Sequence, residues 1–155
     1  MEYFLREDID ALDRKIVKTR EMISEALREI GDSCQQGSET SHDNPGFEEG
    51  QRAVTMWSRQ LRSLTKLRGD ALIISPPAPS LGGKIRIGHV VTIKDLATKE
   101  ERDYQIGSAM VFDNTGKRIS YKSPAGEVLL GAMIGDVLDL AIGDQRKKLL
   151  VLDVK

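Results

Sequence analysis

A chain of 155 residues, 30% of them charged, with a net charge of -1, has room for one ordinary domain or two small ones. Its near-neutral balance argues against a protein that simply coats nucleic acid. One cysteine, Cys34, and two histidines, His42 and His89, exclude an internal disulfide framework and a Cys/His zinc site.

The start, MEYFLREDIDALDRK, is charged almost at once and reads against a secretory signal, and no apolar run approaches bilayer length. A cytoplasmic location with no membrane partner is the expectation. Leu5, Ile9, Leu12, Ile16, Thr19, Ile23, Ala26 and Ile30 then follow at alternating spacings of four and three, the a/d seam of a coiled-coil helix. Gly31 and the polar GDSCQQGSETS weaken that helix, and Pro45-Gly46 are expected to stop it. A second seam begins at Val54 and runs through Trp57, Leu61, Leu64 and Ala71. Arg68 interrupts it, with Leu67 beside it to cover the gap. Each stripe alone is too narrow to be stable in water, so together they predict an antiparallel helical hairpin over residues 1–74. At about 1.5 Å per residue each limb reaches roughly 45 Å.

The tip of that hairpin falls at about 38–49, within a segment from Asp32 to Glu49 that holds five carboxylates and no Lys or Arg. Asp43 and Glu39 are the carboxylates with a candidate role. The alternative is a solvated acidic turn, with Asp43-Asn44 favoured by turn chemistry. Glu48 and Glu49 suit the first turn of the second helix, next to its positive end. Arg52, Arg59, Arg62, Lys66 and Arg68 form a basic series on that helix. It reads equally as a guide toward nucleic acid or as a solvated face paired with Glu21, Glu25 and Glu29 across the arm. Trp57 fits the seam, His42 and Cys34 read as exposed and inert, and His89 needs no role.

SPPAPSLGG, residues 75–83, reads as a linker because proline removes donors and fixes the chain in extended form. From residue 84 to 155 the period changes to two. KIRIGHVVTIKD, RDYQIGSAMVF, RISYK, DVLDLAI and KKLLVLDV are strand candidates, DNTG and GDQ are turns, and AGEVLLGAM is a short helix. Ser123 is placed to cap that helix in a tight connection from the strand before it. The fold class is α+β: a helical hairpin, then a compact β-rich domain.

Specific residues sharpen this outline. Glu100-Glu101, Tyr104, Ile106-Gly107, Ser123-Pro124, Leu130-Gly131 and Gly135-Asp136-Val137 occur in that order. With the hairpin, they make the chain resemble the bacterial Gre family of transcription elongation factors over nearly its whole length. The resemblance implies an FKBP-like second domain that docks on RNA polymerase at Ser123, Pro124 and Ala125. It also implies a hairpin that enters the polymerase secondary channel, with its tip beside the catalytic Mg²⁺. Asp43 then becomes the residue facing that polymerase-bound metal, and the basic series a contact for nascent RNA. No cofactor of the protein's own is implied, and a monomer is expected. Any RNA cleavage would be the polymerase's own activity, so the protein is a regulator rather than an enzyme.

Family members that stimulate cleavage carry a tip of the form Asp-x-x-Glu-Asn. Here Thr40 stands in the place of the motif Asp and Asp43-Asn44 in the place of Glu-Asn, judged by Phe47 three residues on. Elongation is therefore expected to be modulated or inhibited; the alternative is a true cleavage-stimulating factor. Two readings from other classes are a peptidyl-prolyl isomerase, which needs several pocket aromatics, and a coiled-coil adaptor.

Overall fold

The computed structural model describes residues 1–35, 45–78 and 83–155. Two compact units emerge: Asp10–Asp70, and Met1–Ile9 together with Ala71–Lys155.

The first unit is helical. α1 spans Arg6–Gln35 and α2 spans Pro45–Gly69. Leu12, Ile16, Thr19 and Ala26 of α1 and Leu64 of α2 are buried along the expected seam, and Ile23, Ile30, Val54, Trp57 and Leu61 are half-buried beside them. Thr19 is tolerated there because its hydroxyl donates to the Lys15 carbonyl oxygen at 2.8 Å. Asp13 meets Arg68 at one end of the pair, while Ile30 faces Gly50 at the other. Those two contacts run in opposite chain directions, so the helices are antiparallel.

Two local expectations change. α1 continues through Gly31 to Gln35, since one glycine in a well-packed helix costs only about 1 kcal/mol. Pro45 and Gly46 open α2 instead of terminating a helix. Proline in a first turn has no N–H to waste and a φ already suited to the helix. Helical residues Pro45–Glu49 thus occupy the end of the segment expected to be tip.

The second unit begins with a strand. β1, Glu2–Leu5, pairs in parallel with β2, Ala71–Ile74, from Glu2 opposite Ala71 to Leu5 opposite Ile74. Leu5 and Ala71, both expected on coiled-coil seams, are strand residues. The units consequently divide the chain at other points than the expected 1–74, 75–83 and 84–155.

Five further strands follow: β3 Val90–Asp95, β4 Glu101–Gly107, β5 Arg118–Ser120, β6 Val137–Ile142 and β7 Gln145–Val154. They form one sheet in the order β5-β4-β3-β7-β6, antiparallel except for the parallel β4/β5 pair. The short helix α3, Pro124–Leu129, packs on it through Leu129. Val91 and Ile93 from β3, Leu140 from β6, and Leu149 and Val151 from β7 point to one buried face, the period-two pattern made physical. Gly143 (φ +57°) opens the two-residue turn between β6 and β7, the conformation a tight hairpin needs.

Lys84–Ile87, expected as part of a strand, lies outside the sheet. Its Ile85 N–H donates to the Ala132 carbonyl at 2.8 Å and its carbonyl accepts from Gly131 at 2.9 Å. Gly88 then turns at φ +103° before β3 begins, which interrupts the alternating run.

Candidate functional site

Asp43 and Glu39, with His42 between them, lie outside the described residues. Glu48 and Glu49 sit exposed in the first turns of α2. Glu48 accepts from Arg52 at 3.2 Å, an i,i+4 pair along the helix. Of the basic series, Arg68 pairs with Asp13 at 2.7 Å. Among the described residues Arg59, Arg62 and Lys66 have no carboxylate in ion-pair range. The expected cross-arm partners Glu21, Glu25 and Glu29 are not used. The helix therefore displays Arg59, Arg62 and Lys66 to solvent.

A second candidate surface lies on the β unit. Ser123 caps α3: its hydroxyl oxygen accepts from the Gly126 N–H at 3.1 Å and donates to the Ser120 carbonyl at 2.7 Å. Pro124 follows at the first helical position and is exposed. Ala125 faces a cavity of about 220 Å³ over the sheet. Ile93, Ile119, Leu129 and Leu149 make its apolar floor, and Asp95, Glu100, Arg102 and Lys147 ring it with both signs of charge. The N–H groups of Ala97 and Thr98 hold the Asp95 carboxyl below its usual range, so that rim stays charged. Tyr104 is the sole aromatic among the described lining residues, while Tyr121 packs at a tilt against Tyr3, ring centroids 6.3 Å apart. The pocket thus lacks the aromatic walls that the isomerase reading needs. A cavity with an apolar floor and charged rim suits a projecting apolar side chain of a protein partner.

A third constellation escaped the sequence entirely. Asp8 and Ser108 are fully buried. Ser108 donates both its hydroxyl and its N–H to Asp8 Oδ2, the latter at 3.3 Å, and accepts from the Leu5 N–H at 2.8 Å. Arg118 closes the site, with Nη1 at 2.9 Å from Asp8 Oδ1 and Nη2 at 2.6 Å from Glu7 Oε1. Ser108 and Arg118 both hydrogen-bond Asp8 Oδ2, while Asp8 Oδ1, ion-paired to Nη1, and Arg118 Nε have no hydrogen-bond partner among the described residues. The group is a buried structural clamp on the β1–α1 junction. No short-range spacing links these residues, so nothing in the sequence pointed to them. Among the described residues no group of His, Cys, Asp or Glu forms a metal cage.

Comparison with known proteins decides what these surfaces belong to. Residues 78–155 match the family model for the C-terminal part of the GreA/GreB transcription elongation factors. Transcription elongation factor GreA of Vibrio cholerae is 30% identical over 140 residues, 90% of this chain and 83% of its own. Transcription inhibitor protein Gfh1 of Thermus aquaticus is 31% identical over 148 residues, 94% of this chain and 90% of its own. This chain belongs to the GreA/GreB family. The crystal structure of Thermus aquaticus Gfh1 is 26% identical, covers 98% of this chain and 96% of its own, and gives a TM-score of 0.45. Within this Gre-family chain the motif residues fall on distinct elements. Tyr104, Ile106 and Gly107 are on β4, Ser123 and Pro124 open α3, and Asp136 accepts from the Met133 N–H at 2.8 Å in the turn before β6. The family hallmark is thus written in the β unit, the half that the family model covers.

Proposed function

We propose that this protein regulates transcription elongation by docking its β unit on bacterial RNA polymerase and passing its helical pair into the secondary channel. Asp43, with Glu39 beside it in sequence, then lends negative charge near the polymerase's catalytic Mg²⁺. The observation that carries the reading is an antiparallel helix pair whose two ends, at β1 and β2, return to a unit bearing the family's motif residues. Ser123, Pro124 and Ala125 with the cavity beside them supply the docking surface, and the exposed Arg59, Arg62 and Lys66 supply a contact for nascent RNA. The protein acts as a monomer and brings no cofactor; Mg²⁺ belongs to the polymerase.

Inhibition is favoured over stimulated cleavage. A site that borrows oxygen ligands for Mg²⁺ needs them at fixed spacing, and the sequence has Thr40 where a cleavage motif has its Asp. An inhibitor, Gfh1, stands among the relatives of similar identity to GreA.

The test uses a stalled elongation complex and a pull-down with core polymerase, repeated after deletion of residues 38–49. Retained binding with lost effect assigns docking to the β unit and action to the tip. Slowed nucleotide addition without RNA shortening is the expected outcome for the full chain. Robust 3′ shortening abolished by Asp43→Ala would overturn the inhibitory reading.

A further inference from the structure

Gly50 is buried in α2, although a glycine inside a helix costs about 1 kcal/mol relative to alanine. Its place there has a packing reason, and the reason is Ile30. A β-carbon added at residue 50 would lie 2.5 Å from Ile30 Cγ1 and 3.2 Å from its Cδ1, with the Ala26 carbonyl oxygen at 3.6 Å. Carbon atoms pack favourably at about 3.5–4.0 Å, so the helices meet here at a spacing that admits no side chain. Ile30 has little freedom to yield, because a β-branched residue in a helix keeps essentially one χ1 rotamer, and Cγ1 rather than the chain end makes the closest approach. Farther from the tip, large side chains fill the seam: Leu12, Ile16 and Leu64 are buried there. Toward the tip the buried seam residues are small, Ala26 and Gly50.

We propose that Gly50 sets the separation of α1 and α2 at the end of the pair that carries Gln35 and Pro45. It is a positioning residue that acts through Ile30, not one that touches a partner. The consequence for elongation rests on the function proposed above; the spacing of the helices does not.

Alanine and leucine are both better helix formers than glycine, so any loss in Gly50→Ala or Gly50→Leu arises from the contact and not from propensity. The experiment uses the full chain with spin labels at Cys34 and at Gln51→Cys, both exposed on the helices that flank the connection. Distances are measured for Gly50, Gly50→Ala, Gly50→Leu and the compensating pair Ile30→Ala/Gly50→Ala. Unlabelled versions of the same series are assayed for polymerase binding and for elongation. The expected separation grows by about 1 Å for alanine and further for leucine, and returns in the compensating pair. The effect on elongation falls about tenfold in Gly50→Leu and less in Gly50→Ala, whose loss is restored in the pair, while polymerase binding stays within about twofold. An unchanged label distance in Gly50→Leu overturns the proposal. So does a widened pair that keeps its full effect. A parent chain that neither binds polymerase nor alters elongation would instead defeat the function proposed above, and the distance series would still decide the role of Gly50.

Discussion

The backbone of Gly126 rests against the carbonyl oxygen of Ser120. A β-carbon at residue 126 would sit inside the contact radius of that oxygen and 2.8 Å from the Tyr121 Cα. Both neighbours are backbone atoms at the end of β5, which cannot rotate away as a side chain can. The close approach lets α3 turn back onto the sheet directly after Ser123 and puts Ala125 on the cavity.

Gly126→Ala is therefore expected to destabilise the β unit by at least about 3 kcal/mol, the upper range for overpacking. Urea unfolding followed by circular dichroism measures it. A loss below about 1 kcal/mol would mean that α3 shifts freely and that its docking edge is not rigid.

Arg118→Met removes the guanidinium that pairs with the buried Asp8. Breaking a buried pair on one side costs about 3–5 kcal/mol, because the remaining charge stays desolvated; the expected value lies at the low end, since Ser108 still donates to Asp8 and Arg118 is itself partly exposed. Asp8→Asn/Arg118→Met should be less damaging than the two single costs combined. Strict additivity in the double-mutant cycle would argue against the clamp.

Arg68 and Asp13 are 39% and 48% exposed, so their pair contributes about 0–1 kcal/mol. Arg68 also occupies the one polar gap in the second seam. Arg68→Leu is expected to leave the melting temperature of the full chain within a few degrees of the parent, or to raise it. A large drop would assign the ion pair a role in fixing the helix register.

Asp113 accepts from the N–H and hydroxyl of Thr115 and from the N–H groups of Lys117 and Arg118, all between 2.8 and 3.0 Å. The bonds from Thr115 are the main cause that takes its pKa from 3.8 to about 2. A depressed carboxyl stabilises the fold above its unfolded value, and that contribution fades as pH falls through the folded value. The stability difference between the parent chain and Asp113→Asn should accordingly be constant near neutral pH, begin to shrink below about 4, and be lost near 2. A difference independent of pH from 7 to 2 would show that the turn does not depend on the charge.

Much of this protein was legible locally. A heptad seam is a short-range signal, and it located both helices and the buried Leu12, Ile16, Thr19, Ala26 and Leu64. Alternation located β3 to β7, and Ser123-Pro124 announced the start of α3. The ordered motif residues of the second half also carried the family resemblance before any fold was known. What periodicity cannot report is a contact between distant segments. Glu2–Leu5 has too few residues to show a period, and it becomes a strand only because Ala71–Ile74 returns beside it. Asp8 and Arg118 are separated by 110 positions, and a charged residue at a helix start looks solvated until the fold removes its water. The glycines at 50 and 126 read as neutral or weakening in sequence, since nothing local says what their missing side chains would strike. Local patterning chose the elements; the mutual approach of surfaces, which exists only after chain entropy has been overcome, chose the clamp and the close contacts.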